Sequence, residues 1–337
     1  THSGPIGLKN TDSGIFKGLN GLFGTYDGKL ANHYVDVIEE LYLKASSSLE
    51  EFTFRNGSST IDGVGSERHD ASLPSDNRLF VMEFLTESNK KILYYNFPCH
   101  PTVLNGSSLV ISSDLPSGVI DAYGDAYDMI MFINGSCGDI STRFTRKEST
   151  PHQITLFGQT IKEAIEKTIS NQAYQQLNKL EFKPFEVKLK VKHFGSPEEA
   201  EATYKAAIDK HEEGVRNQLS KNELRLLFSV VEGASTNVAF CRNFSSVKEV
   251  TLHLTAITLN ELKFVTVPAE LFSSLSSPLR EKYGLVFIGY TNGYFMYIID
   301  QAAFEKGYYE AFSTIFAPGQ GEVLMDTIEK TMFLGNS

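Results

Sequence analysis

RLFVMEFL (residues 78–85) and KILYYNFP (91–98), separated by TESNK, form the stretch on which the fold turns. Two apolar runs of strand length joined by a polar turn predict neighbouring strands. The second runs directly into Cys99-His100-Pro101, so an ionisable ring stands at a strand end. Proline after His100 biases that residue to extended backbone, which projects the imidazole in a fixed direction. A lone histidine in such a place is more often structural than a ligand, and local pattern leaves both readings open.

Outward from this pair, strands interleave with helices. ANHYVDVIEELYLKASS (31–47) has helical spacing, with Val35, Ile38, Leu41 and Leu43 near one face. YDMIMFIN (127–134) reads as a short buried strand, and HQITLFGQTIKEAIEKTIS (152–170) as a helix. Alternation over 180–192 predicts a strand, and 197–231 reads as two charged helices that could be a peripheral insertion. VTLHLTAITL (250–259) and LKFVTVP (262–268) form a hairpin-like pair. A helix over about 270–283, the strand GLVFIGYTN and a helix over about 320–332 complete the chain. This alternation predicts a layered α/β, mixed α+β, domain.

Composition bounds the function classes. The 337 residues are 41% apolar and 21% charged, enough for a large core. A net charge of −10 without a basic patch argues against nucleic acid. Apolar runs of the roughly 18 residues that a membrane-spanning helix needs are missing. Cys99, Cys137 and Cys241 make neither a disulfide framework nor a Cys-x-x-Cys clip. Asn-x-Ser sequons at Asn56, Asn105, Asn134 and Asn243 matter only in a eukaryotic secreted protein.

Three further places carry ionisable or hydroxyl groups beside strands. In FVTVPAEL, Glu270 follows Pro268 at an expected helix start, where a carboxylate suits the macrodipole. In GYTNGYFMYI, Tyr294 and Tyr297 follow a strand, which fits core or rim packing. In INGSCGDIST, Gly135 and Gly138 permit a tight turn exposing Ser136, Ser141 and backbone N–H groups, with Asp139 as a cap. It is neither a G-x-S-x-G elbow nor a P-loop.

Together and in order, these segments resemble the catalytic domain of the neutral/alkaline (non-lysosomal) ceramidase family. THSGP (1–5) is similar to the end of its T-H-T-H-S-G-P segment, and FPCHPTVLN (97–105) to its His-ended strand. NGSCGDIST (134–142) resembles N-x-G-D-x-S-P-N, and TVPAELF (266–272) resembles V-P-G-E-F. TNGYFMYI (291–298) and YYEAFSTIFAP (308–318) resemble N-x-Y-x-x-Y and R-Y-E-x-A-S-T-x-Y-G-P. The departures are Thr142-Arg143 in place of Pro-Asn, Arg55 in FRNGS rather than N-R-S-P, and AELFSSLSSPLR without a glycine-arginine run. They fall in the substrate pocket more than in the metal set.

The resemblance implies a zinc-dependent amidohydrolase cleaving the amide of ceramide or a related N-acyl lipid, possible at a membrane surface. It implies zinc ligands at His100, Glu270 and Tyr297, plus a histidine that would stand immediately before Thr1. His2 would shuttle a proton, Arg55 and Tyr297 would stabilise the oxyanion, and Ser141 would orient substrate or act as nucleophile. It implies one catalytic domain over 1–337 lacking its N-terminal strand and the family's C-terminal immunoglobulin-like domain. By the same resemblance, the setting is extracellular, periplasmic or membrane-surface. A zinc amidase on a small soluble N-acyl compound and a non-catalytic binding protein are the alternatives.

Overall fold

The computed structural model describes residues 7–13, 16–17 and 19–335. Two sheets pack face to face. The first has the order β5-β4-β3-β1-β7, from β1 (Phe52–Thr60), β3 (Arg78–Thr86), β4 (Lys91–Phe97), β5 (Met129–Asn134) and β7 (Gln175–Gln176). The second runs β12-β10-β9-β8, from β8 (Leu180–Lys190), β9 (Glu249–Leu259), β10 (Leu262–Thr266) and β12 (Val286–Ile288). Two ladders of two residues each complete the set: β2 (Ser66–Glu67) with β6 (Ile140–Ser141), and β11 (Glu270–Leu271) with β13 (Tyr297–Ile298).

The alternation of β3 shows why the layers form. Leu79 and Val81 face one way, into a core with Ile154, Phe157, Ile161 and Ile165 of the Pro151–Ile169 helix. Phe80 and Met82 face the other way, against Phe264 and Val286 of the second sheet. A strand covered on both faces must be apolar on both, which is how RLFVMEF reads. The far face of the second sheet is covered by the Lys221–Phe244 and Gln320–Glu329 helices through Phe240, Phe244, Leu324 and Ile328. The result is an α/β/β/α layering, a mixed α/β fold as the alternation predicts.

The 91–98 strand and the 127–134 strand pair in parallel, as β4 and β5. β5 is an edge strand with residues of intermediate or high exposure, rather than the buried strand expected. The predicted helix at 31–47 forms as Gly28–Ser46, capped by Asp27, but contains no buried residue. Val35, Ile38, Leu41 and Leu43 are 58–62% exposed. Its periodicity therefore specifies a helix without specifying a burial partner. The charged segment expected at 197–231 becomes a hairpin of Pro197–Arg216 and Lys221–Phe244, and the second helix packs into the body against Tyr309–Ser313.

Two of the parallel pairs, β4/β5 and β10/β12, point their carboxyl ends to one place. The N–H of Gly289, just past β12, donates to the carbonyl of Asn134 at the end of β5 (3.0 Å). Crevices at the carboxyl ends of parallel strands are where α/β folds hold ligands, and here two sheets contribute to one crevice.

Candidate active site

His100 follows β4 and pairs in a parallel bridge with Ser141. Its Nδ1 lies 2.9 Å from the carbonyl of Ile140, and its Nε2 lies 2.6 Å from Oε2 of Glu270. A carbonyl oxygen only accepts, so Nδ1 carries a proton and Nε2 is the atom that faces the carboxylate. Both side chains are nearly fully buried, at 1% and 3% exposure. Burial opposes a charged ring, but Cys137 and Glu270 beside it raise the His100 pKa to about 10. The Tyr294 hydroxyl donates to the other Glu270 oxygen.

Glu270 is not at the start of a helix. It lies in β11, in register with Tyr297 of β13, and the helix begins only at Ser273. The expected macrodipole partner is thus replaced by a backbone ladder that sets Glu270 beside Tyr297. The preceding loop is tightly wound: Tyr290, Asn292 and Met296 have φ of 58°, 67° and 61°. Left-handed backbone at side-chain-bearing residues costs of order 1 kcal/mol or more each, and here it turns Tyr294 and Tyr297 toward Glu270.

The NGSCGDIST turn is held against the same ladder. Gly138 donates its N–H to the carbonyl of Leu271 (2.9 Å), and a Cβ at this position would stand 2.8 Å from the carbonyl of Glu270. Only glycine allows that approach. Asp139 accepts from the N–H and hydroxyl of Ser273, both at 2.7 Å, so it clamps the turn to the helix rather than facing substrate. Burial pushes its pKa up to about 7. The turn delivers Ser141 into a cavity of about 810 Å³ that His100, Tyr297, Tyr309 and Arg68 also line. A second cavity on the other side of His100, about 480 Å³, is lined by Glu270, Tyr290 and Tyr294.

The structure therefore brings His100, Glu270, Tyr297 and Ser141 together. Arg55 is elsewhere: it sits on β1, bound to Glu83 at 2.8 Å, and lines neither cavity. The guanidinium at the centre belongs to Arg68, 3.4 Å from the Tyr297 hydroxyl and 3.2 Å from Glu310. Neighbouring His69 bridges Glu67 (2.5 Å) and Glu310 (2.7 Å) and stacks on Tyr308 at 3.9 Å. The SERHD run and the glutamate of YYEAF carried these groups in the sequence, but nothing in their spacing marked them. His2 and Thr1 lie outside the described residues.

Among the described residues, no three His, Cys, Asp or Glu side chains converge as a metal set. The donors present nevertheless fit zinc in kind. His100 presents Nε2 while its other nitrogen is fixed by a carbonyl, the arrangement that orients metal-binding imidazoles. The 2.6 Å approach of Nε2 to the carboxylate is a hydrogen bond with a proton between them, and an ion held by both atoms would take that proton's place and move them apart. Glu270 supplies oxygen, and the Tyr297 phenol would be the third donor.

The fold recurs in solved structures. No protein-family model and no curated protein sequence matches the chain. The solved structures that match in fold include the neutral ceramidase from Pseudomonas aeruginosa and a ceramidase complexed with C2. The first has 14% identity and a TM-score of 0.65, over 90% of this chain and 55% of that one. The second has 14% identity and a TM-score of 0.67, over 97% of this chain and 59% of that one. The chain thus spans little more than half the length of either, and the likeness is one of fold.

Proposed function

We propose that this protein is a zinc-dependent amidohydrolase acting on an N-acyl compound, with ceramide and related N-acyl sphingolipids as the first substrate class. The observation that carries this reading is the buried His100–Glu270 pair at 2.6 Å, with the Ile140 carbonyl fixing the ring and Tyr294 fixing the carboxylate. Likeness in fold to two ceramidases supports the reaction class. His100, Glu270 and Tyr297 would hold the ion. Zinc, when bound, would supply Lewis acidity and make water acidic enough to attack near neutral pH.

The chain's own groups account for the remaining tasks. Arg68, donating toward the Tyr297 hydroxyl, places positive charge and a phenol where a tetrahedral oxyanion would need donors. Ser141 Oγ is 3.3 Å from the N–H of Arg143, which orients the hydroxyl at the cavity wall to hold the substrate amide. Burial, and then Glu270, raise the Tyr297 pKa well above that of a free phenol, so it is a hydroxyl donor at neutral pH. The second reading, a small soluble N-acyl substrate, is favoured by the polar cavity wall of Thr102, Asn105, Ser229, Ser235 and Thr236.

Metal analysis with an N-acyl substrate panel tests the proposal. The protein should bind about one zinc per chain, and Glu270→Gln should lose most of the zinc and at least about 10³-fold in hydrolysis. Ser141→Ala should lose roughly 10²-fold or more in kcat at unchanged zinc content and Tm. Wild-type protein that holds zinc but releases no amine from any N-acyl substrate would leave only a binding role.

A further inference from the structure

The wall of the Ser141 cavity is cationic, although the chain as a whole carries a net charge of −10. Arg68, Arg143, Arg146 and Arg225 all line it, and the carboxylate among the lining residues is Glu232. Glu232 is spoken for by Arg225 (2.8 Å), and Arg68 by Glu310. Arg143 and Arg146 instead bind neutral oxygens: Arg143 the carbonyl of Arg68 (2.8 Å), Arg146 the carbonyl of Thr102 (2.8 Å) and the hydroxyl of Thr142 (3.2 Å). Among the described residues neither forms a direct ion pair, although Glu310 acts on Arg143 and Asp114 on Arg146 from a distance. A guanidinium has five N–H donors, so most of the donor capacity of each is uncommitted.

Neutral lipid amides offer such a wall only neutral acceptors, without charge to match it. Burial, and then the like charges of Arg68 and Arg225, lower the Arg143 pKa to about 10, a repulsion that a bound anion would relieve. Arg143 also follows Ser141 by two residues and donates its N–H to that serine's oxygen, so a group bound there lies beside the reacting amide. Resting on the hydrolase reading above, the geometry points to an N-acyl substrate that bears an oxyanion, carboxylate or phosphate, gripped by Arg143 with Arg146 and Arg225 around it. Planar guanidinium donors pair with both oxyanions in a bidentate way, which fixes register as well as affinity.

Calorimetric titration of the zinc-loaded full chain with two matched pairs tests this. N-hexanoylglycine is compared with N-hexanoylglycinamide, and N-hexanoyl-O-phosphoethanolamine with N-hexanoylethanolamine. At least one anion should bind roughly tenfold or more tighter than its neutral partner, the ratio expected from charge-assisted hydrogen bonds, and the better one identifies the oxyanion. The advantage should shrink with added salt. Arg143→Gln should abolish it while changing affinity for the neutral compounds much less, and Arg143→Lys should restore part of it. Equal binding of both members of each pair, absence of binding, or a preference that survives Arg143→Gln overturns the proposal. Amine release is measured alongside. Anion-selective binding without hydrolysis would break the amidase reading alone, and hydrolysis of neutral amides without anion preference would break this one alone.

Discussion

Two arginine–glutamate–tyrosine clusters, one around Arg55 and one around Arg68, are built from the same parts with different results. In one, Arg55 binds Glu83 at 2.8 Å, and Glu83 also accepts from the hydroxyls of Tyr127 and Tyr174. In the other, Arg68 binds Glu310 at 3.2 Å and reaches Tyr297, while His69 binds the same glutamate. The first joins β1 to β3 across regular sheet, where Arg55 and Glu83 are register partners. The second joins a loop to the Tyr309–Ser313 helix and opens on the cavity shared by His100 and Ser141. Chemistry follows from where a cluster sits, because only the second can touch a bound molecule.

The largest expected effect comes from breaking the second cluster. Arg68→Met removes a donor beside the Tyr297 hydroxyl and leaves Glu310, fully buried, with His69 as its cation. Hydrolysis should fall roughly 10²–10³-fold, the usual cost of one oxyanion donor. Stability should also fall, by about 3 kcal/mol, because the buried carboxylate keeps its desolvation cost and loses a partner. Steady-state kinetics and urea melts read the two losses separately. A stable, fully active Arg68→Met variant would return the oxyanion role to another group.

The mirror experiment is Arg55→Met, with a smaller and differently distributed effect. Arg55 is 22% exposed and Glu83 retains two tyrosine donors, so about 2 kcal/mol of stability should be lost, less than for a fully buried pair. Zinc content and kcat/KM, measured well below Tm, should be unchanged. A kinetic defect without a stability defect would restore Arg55 to the catalytic set and dissolve the contrast.

That contrast also locates what sequence could and could not tell. β3 and β4 were legible because burial on both faces forces unbroken apolar runs, and His100 was legible because a strand delivers it. The strand carrying Arg55 was not, since FTFRNGSST is half polar and its pairing with Arg78–Thr86 is a tertiary fact. Glu270 was placed on a helix because Pro268 and the apolar residues after it mimic a helix start. A ladder of two residues, made by Glu270 and Tyr297 from distant segments, leaves no periodicity to read. Arg68 suffers the same fate: charge in a loop is ordinary until a helix from the far end of the chain closes over it. The ligand set rests on resemblance, and the arginine that resemblance names, Arg55, sits on a strand that lines neither cavity.

The subtlest difference between the clusters is in pH dependence. In the first, burial alone would raise the Glu83 pKa, but hydrogen bonds from Tyr127 and Tyr174 and the charge of Arg55 leave it lowered. A carboxylate lowered on folding contributes stability that is present above its unfolded pKa and lost as pH falls. The Arg55 cluster should therefore weaken only on the acid side. In the second, burial opposes the charged His69 ring, but the hydrogen bonds to Glu310 and Glu67 outweigh it and raise the pKa above 6.5. A histidine raised on folding contributes stability fully present below its unfolded pKa and lost as pH climbs through the folded value. Glu310 is lowered, despite burial, by Arg68 and His69, and adds an acid limb to this cluster too. The second cluster alone then has an alkaline limb, beginning above about pH 6.5, the unfolded histidine value. His69→Gln should lower stability near pH 6 and reduce the decline between pH 6.5 and 9, leaving the part that the raised pKa of His100 contributes, whereas Arg55→Met should leave that decline as in the wild type. Urea midpoints taken across this range for the three proteins decide the point. An undiminished alkaline decline in His69→Gln would show that His69 holds Glu310 as a neutral hydrogen-bonding ring, and that Arg68 is the sole cation of the active-site cluster.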